Sequence, residues 1–507
     1  MSNINLIDKN KNIKLYKFIL FLFPFFLISG PFLPDLTISI LFLIFALKTI
    51  KIIKKNLIIK NLFYFFLFFY LYLILNSFFS FNPIISLKSS VPYIRMIFLS
   101  FFLALLLNQI KFFFNILLLS IISCYVVLLI DSIYQVATGY NFFGFKANGE
   151  RISSFFGEKL VMGSFVSRTL PVALSIFFFT KFKYQEPLKI CVVFISGILI
   201  YLSAERLSLV FYFVTLVLFT FVPFSKKRVL IILLLFFSFS SLLYSIKPNS
   251  FNRLYFHTIK QVKETSYFGF SYRHELHLIT AFNLFNDSKL FGHGLKSFRN
   301  LCGNNKYAPT EKIIRDNTIY SPADGRIFFL DETITNQNKF FILEKNYDNE
   351  LFLKIKNEEI SNIPIFKKMY EGIYGFNFFE PFNKVYVKHN DSIKLGDPIG
   401  YSYQFIDGCN THPHNLYFEF LSELGLIGLI FLLIGFFYIF THFIITLKNI
   451  FLKNNVNFHY SFLFSLLGII LSLFPLFPSG SFFNNWLSSI LYFNLGIILS
   501  FILFKKK

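Results

Sequence analysis

Apolar residues arrive in runs of about twenty, the length needed to cross a hydrocarbon core at a helical rise of about 1.5 Å per residue. Such runs lie at residues 16–33, 36–53, 61–79, 93–109, 112–134, 161–180, 188–204, 207–224, 229–246, 415–440, 458–477 and 484–504. They predict an all-α polytopic integral membrane protein of about twelve transmembrane helices. The longest polar stretch, 247–413, separates an N-terminal membrane bundle (1–246, about nine helices) from C-terminal membrane helices (414–507, about three). Inside that stretch the pattern changes. "SPADGRIFFL" (321–330) and "NKVYVKHNDSIKLGDPIGYSY" (383–403) alternate apolar and polar residues around Asp-Gly and Gly-Asp turns. That alternation predicts short strands, and so a β-rich, barrel-sandwich-like insert over 318–404.

Composition sharpens this picture. With 55% hydrophobic residues, 78 of them phenylalanine, and a mean hydropathy of +0.59, the chain carries more apolar surface than a soluble fold could bury. The formal charge of +22 raises the question of nucleic acid, but the positions of the lysines answer it. Lys48, Lys51, Lys54 and Lys55 follow the second run, Lys181, Lys183 and Lys189 the sixth, and Lys226, Lys227 and Arg228 the eighth. Lys448 and Lys453 follow the tenth, and Lys505, Lys506 and Lys507 close the chain. All fall on one side if the N-terminus is cytoplasmic, so the charge serves topology and membrane lipids, not nucleic acid. The first run, flanked by lysines and lacking a small-residue cleavage site, reads as a retained anchor. This topology places 138–160 and 247–413 outside a cytoplasmic (inner) membrane, with any site built from them facing the periplasm.

Candidate chemistry collects on that outer side. Seven of the nine histidines (His257, His274, His277, His293, His389, His412 and His414) lie within or at the end of 247–413. His412 and His414 stand at its re-entry into the membrane. Arg151 precedes the sixth span, Arg206 lies at the turn between the seventh and eighth, and Arg273 lies early in the large segment. Guanidinium forks grip phosphate oxygens in pairs, and a neutral imidazole can take a hydroxyl proton. Cations for a pyrophosphate leaving group plus a base for an acceptor is the set that transfer from a lipid-linked pyrophosphate requires. Arg168 falls inside the sixth span, where it either snorkels to the lip or lines a cavity. His277 and His293 read as ordinary loop residues, and His257, His274 and His389 carry no motif. Cys302 and Cys409 share an oxidising compartment and are candidates for a disulfide that closes the base of the insert.

"THPHNLYFEFLSELGLIG" (411–428) resembles the His-x-His-Asn … Glu-x-Gly-x-x-Gly signature of the O-antigen ligase and O-antigen polymerase superfamily. "RISSFFGEKLVMGSF" (151–165), "SAERLSLVFY" (203–212), "FSYRHELHLITAFNLFNDSKLFGHGLKSFR" (270–299) and "FPSGSFFNNW" (477–486) resemble further parts of that family, in family order. The resemblance does not extend to the 318–404 insert. It implies a metal-independent glycosyltransferase without a cofactor, moving a glycan from undecaprenyl pyrophosphate to an acceptor, in ligases the lipid A–core. It further implies pyrophosphate binding by Arg151, Arg206 and Arg273, with His414 as general base and His412 shaping the site or sharing that role. Asn415, Glu423 and Gly425 complete the motif as support for the helix. An O-antigen polymerase or a protein O-oligosaccharyltransferase would use the same donor chemistry. A membrane-anchored zinc endopeptidase and a polysaccharide transporter are remoter alternatives; the first lacks an upstream histidine and carboxylate pair near residues 325–360.

Overall fold

The computed structural model describes residues 13–147, 151–180, 183–221, 244–263, 272–304, 306–309, 314–320, 325–329, 339–343, 373–377, 382–385, 391–394, 397–405, 408–452, 457–475 and 477–505. It forms two compact units. One comprises residues 1–308 and 408–507, the other residues 309–407.

The first unit is helical. In chain order it contains α1 (Ile13–Ile28), α2 (Phe32–Ile53), α3 (Leu57–Phe78), α4 (Pro83–Ser90), α5 (Ile94–Gln109), α6 (Phe112–Thr138), α7 (Met162–Phe179), α8 (Gln185–Ser203) and α9 (Arg206–Phe221). Then come α10 (Pro248–Leu254), α11 (Phe256–Lys263), α12 (Tyr272–Asp287) and α13 (Phe298–Leu301), and after the second unit α14 (Leu416–Leu452), α15 (Asn457–Leu473) and α16 (Asn485–Lys505). Among the described residues eight helices are long and apolar enough to cross a membrane. The protein is an all-α polytopic membrane protein. Helices stand at eleven of the expected spans, while the run 229–246 lies almost wholly outside the described residues. The expected outer loop before α5 folds instead as α4, whose N-terminus is capped by Asn82 Oδ1 accepting from Ile85 N–H at 3.2 Å, with Pro83 in the first turn.

Burial sorts the helices into a core and a lipid-facing ring. From Met162 to Phe178 every residue of α7 except Ser164 is buried, polar Ser167, Arg168 and Thr169 included. Much of α5 and α16 is buried with it. By contrast α2 leaves Leu43, Ile44 and Leu47 exposed, side chains that only a hydrocarbon solvent makes inexpensive.

α14 is broken, not continuous. Gly425 adopts φ 64°, ψ −163°, a conformation closed to residues with a Cβ, and divides the helix into an N-terminal stub and a long membrane segment. A Cβ at this position would also lie 2.4 Å from the Leu290 backbone.

The second unit carries the sheet. Strands β1 (Ile314–Tyr320), β2 (Gly325–Phe329), β3 (Lys339–Leu343), β4 (Ile373–Asn377), β5 (Phe382–Val385), β6 (Ser392–Ile393) and β7 (Pro398–Phe405) form two sheets, ordered β1-β7-β5 and β4-β3-β2-β6. All the pairings are antiparallel; Thr318 stands opposite Tyr401, and Phe328 opposite Phe341. Its bounds, 309–407, are wider than the 318–404 read from the sequence. Cys302 and Cys409, on the flanks of this unit in the chain, are joined by a disulfide with Cα atoms 4.9 Å apart.

Gly425→Ala tests the break. The backbone conformation alone should cost about 1–3 kcal/mol, before the overlap with Leu290 is counted. Thermal unfolding of the purified variant in detergent should show a clearly lowered midpoint. An unchanged midpoint would mean that α14 can run straight through residue 425.

Candidate functional site

The break in α14 frees backbone groups, and the segment 289–297 takes them up. His293 and Gly294 N–H donate to the carbonyls of Ser422 (3.0 Å) and Glu423 (2.8 Å), and Leu426 N–H donates to the Lys289 carbonyl at 2.8 Å. Tyr72 O–H reaches the Leu424 carbonyl at 2.5 Å. The approach is close enough that Gly292 (φ 67°) has no room for a side chain, since a Cβ would meet the Glu423 carbonyl carbon at 2.5 Å.

Two buried carboxylates on the stub then anchor two different loops. Glu423 accepts from the backbone N–H of Lys296 (2.9 Å) and Phe298 (3.4 Å). One turn earlier Glu419 accepts from Ser481 Oγ (2.5 Å) and Phe482 N–H (2.8 Å). Asn415 caps the stub, its Oδ1 accepting from Tyr417 and Phe418 N–H at 2.9 and 3.3 Å, while its Nδ2 donates to the Pro475 carbonyl at 2.9 Å. Asn415, Glu423 and Gly425 thus bond or pack against backbone throughout.

Just before the stub the histidines cluster. His414 sits at φ 57°, and its ring lies 4.2 Å from His412, 5.1 Å from His274 and 5.2 Å from His277, centroid to centroid. His274 carries no motif, and His277, read from the sequence as an ordinary loop residue, is instead buried on α12. Their spacing with Ala281 and Leu284 along α12 was nevertheless the available signal. All four share one helical face, and Ala281 and Leu284 pack in a small core with Phe298, Cys302 and Tyr307. The Nε2 of His414 lies 3.0 Å from Asn410 Nδ2, an amide donor, so this nitrogen acts as acceptor. His412 bonds Thr411 Oγ1 through Nδ1 at 3.0 Å, and its Nε2 is buried with no hydrogen-bond partner among the described residues. Burial, with the positive fields of His414, Lys296 and His277, lowers the His412 pKa to about 3.

His412 forms part of the wall of a cavity of about 690 Å³, and His414 is not among its lining residues. Six cations line it: Lys88, Arg95, Lys159, Arg168, Lys296 and Arg299. They come from separate places: the end of α4, the start of α5, the loop before α7, α7 itself, the 289–297 segment and α13. No carboxylate stands among the described residues that line it. Arg95 is paired with Asp35 at 2.6 Å. Arg168, only 5% exposed, donates to the Ser164 carbonyl at 3.2 Å and lies over the Phe211 ring at 5.3 Å. Tyr93, Phe156, Phe483 and Trp486 complete an aromatic portion of the wall.

Two of the arginines expected to grip phosphate, Arg151 and Arg206, lie outside this lining. Arg151 donates to the carbonyls of Leu160 (2.7 Å) and Ser203 (3.1 Å) and stands 3.8 Å from the Glu205 carboxylate. Glu205 in turn holds the first turn of α7, accepting from Gly163 N–H (2.8 Å), Ser164 N–H (3.1 Å) and Ser164 Oγ (2.8 Å). Burial pushes this carboxyl up, and Arg151 beside it draws it back toward the charged form. A carboxylate there also suits the positive end of the α7 dipole. Arg206 opens α9 and bonds the Arg253 carbonyl at 3.4 Å, while Arg253 bonds that of Ala204 at 3.3 Å. Arg151 and Arg206 are not among the cavity-lining residues: Arg151, with Glu205, braces the start of the helix that carries Arg168, and Arg206 ties the start of α9 to α10. Arg273 lies in the first turn of α12, with its side chain outside the described residues.

Residues 191–324 match the family model for O-antigen ligase. The match supports the O-antigen ligase superfamily for this chain, a class of membrane glycosyltransferases whose substrates are a lipid-linked glycan and a glycan acceptor. It covers α9, α12 and the 289–297 segment, and ends within the second unit. No curated protein and no solved structure matches the chain.

The depressed His412 pKa has a consequence for stability. In the unfolded chain this imidazole takes its proton near pH 6.5, in the folded chain near pH 3. The unfolded state therefore binds the extra proton between these values, so the contribution is fully present above pH 6.5 and is lost on acidification toward pH 3. The thermal midpoint should fall between pH 7 and pH 5 more steeply in the wild type than in His412→Asn. Parallel pH profiles would show that His412 titrates normally in the fold.

Proposed function

We propose that the protein transfers a glycan from undecaprenyl pyrophosphate to a saccharide acceptor, lipid A–core being the simplest, at the periplasmic face of the inner membrane. The observation that supports this most is the cavity with six cations, no carboxylate among its described lining residues and a neutral histidine in its wall, built at one end of a membrane helix bundle. Such a cavity suits a pyrophosphate, whose charges grow as the sugar leaves. Adjacent to it lies an apolar cleft walled by Phe65, Phe69, Phe420, Phe431 and Phe482, and Phe482 sits between Ser481 and Phe483 of the cavity wall. Head and tail of an isoprenoid pyrophosphate therefore have neighbouring places to go.

In this reading the acceptor hydroxyl attacks the anomeric carbon, forming a C–O bond as the bond from that carbon to the phosphate oxygen breaks. The electron pair leaves on the pyrophosphate, held by the cavity cations. The acceptor proton passes to His412, whose Nε2 makes no well-formed hydrogen bond among the described residues, the Ser479 backbone being its nearest polar support. An imidazole with a pKa near 3 is neutral but weakly basic; two phosphate charges beside Lys296 offset the cationic field and raise its proton affinity as the donor binds. His414, turned toward Asn410, orients the pair.

His412→Ala should lower transfer by about 10²–10⁴ while donor binding survives. Measured with a lipid-linked glycan and acceptor in proteoliposomes, near-normal transfer in His412→Ala with loss in His414→Ala would return the base role to His414. Arg168→Gln should weaken donor binding, whereas full activity would remove the cavity from the donor path. The mechanism requires no metal, so transfer should persist in excess EDTA; loss that added zinc restores would contradict it. Deletion separates the acceptor classes. Glycan accumulating on the lipid pyrophosphate marks a ligase, and product carrying one repeat marks a polymerase.

A further inference from the structure

Lys296 is held in an unusual way. Its backbone lies in the left-handed region at φ 64°, which an unbranched residue adopts only when its surroundings insist. The constraint is Glu423, 1% exposed, whose carboxylate receives the Lys296 N–H at 2.9 Å and the Phe298 N–H at 3.4 Å. Glu423 lies behind the cavity wall and is not part of its lining. Lys296 and Ser481 both line the cavity, and the Lys296 Nζ rests 3.2 Å from the Ser481 hydroxyl. That hydroxyl donates to Glu419, so the ammonium reaches its carboxylate only through an intervening oxygen. Among the described residues no carboxylate lies within ion-pair distance of Lys296. Lys296 acts electrostatically on the buried Glu419 and Glu423, but its ammonium makes no direct ion pair among the described residues, and resting on a neutral hydroxyl it is available to an incoming anion at little cost in reorganisation.

We propose that Lys296 contacts the pyrophosphate leaving group beside His412, and that Glu423 is a positioning residue acting on the donor through the Lys296 backbone. This rests on the donor reading above. Glu423→Gln leaves one acceptor oxygen and turns an NH₂ group toward a backbone N–H, so it disturbs the 296–298 segment without changing the cavity lining.

The chain contains a single tryptophan, Trp486, which lines the cavity, so fluorescence excited at the red edge of its band reports occupancy directly. With farnesyl pyrophosphate as probe and the full-length protein in detergent, Lys296→Met and Glu423→Gln should each weaken binding roughly tenfold or more. Lys296→Arg should recover part of the loss. The double variant should bind no more weakly than Lys296→Met alone, because Glu423 has nothing left to position. Lys296→Gly, which relieves the backbone strain while removing the cation, should be at least as stable as the wild type and still bind poorly, so that loss of binding is separated from loss of fold. An undiminished Glu423→Gln effect in the Lys296→Met background would reduce Glu423 to a structural role and overturn the inference. Unchanged affinity in Lys296→Met would overturn it as well. Failure of the wild type to bind the probe would instead overturn the donor reading itself.

Discussion

A helix that stops being a helix inside a membrane protein leaves carbonyls and amides that water cannot reach, and they must be met by something close. At Gly425 that something is the segment Lys289–Leu295, laid across α14 so tightly that Gly292 and Gly425 have no room for a Cβ against each other's segments. Because the segment is pinned there, Lys296 and Arg299 project into the cavity, and α12, which precedes it, brings His274 and His277 against His414. The motif Glu-x-Gly is thus a joint. The glycine permits the crossing, and the glutamate two residues earlier receives the backbone that follows it.

The same division of labour recurs among the charged residues. Acidic side chains at this end of the molecule accept from backbone and hydroxyl donors: Glu205 at the start of α7, Glu419 on the 481–482 loop, Glu423 on 296–298, and Asp131 on Phe142 N–H and Ser154 Oγ. Each is satisfied by these donors where it stands, and Glu205 has Arg151 beside it as well. Six cations line the cavity, and among the described residues Arg95 is the one of them in an ion pair, so the field there remains strongly positive. Lowered proton affinity at His412 follows from that field and from burial.

Much of the fold could be read along the chain because hydropathy over about twenty residues is a local property, and a bilayer demands that length of each helix separately. Helices therefore stand where the apolar runs stand, and the alternating pattern near 321–330 and 383–403 marks strands that exist as β2, β5, β6 and β7. The histidine pair at the head of α14 was legible for a similar reason, since a polar motif abutting an apolar run is visible without knowing its neighbours. What adjoins a loop in space is a different kind of fact. Lys88, Lys159, Lys296 and Arg299 look like ordinary loop charges, and Arg151 and Arg206 look like ligands. Only the convergence of helix ends made the first group a wall, while Arg151 bonds the loop before α7 and Arg206 bonds α10. Sequence alone determined that the chain crosses a membrane and where its helices stand along the chain, because burial length and charge placement are decided residue by residue. Tertiary structure decided which cations share one cavity and which histidine faces it, because those depend on where distant loops are pinned, and the pins are backbone hydrogen bonds that leave almost no trace in residue type.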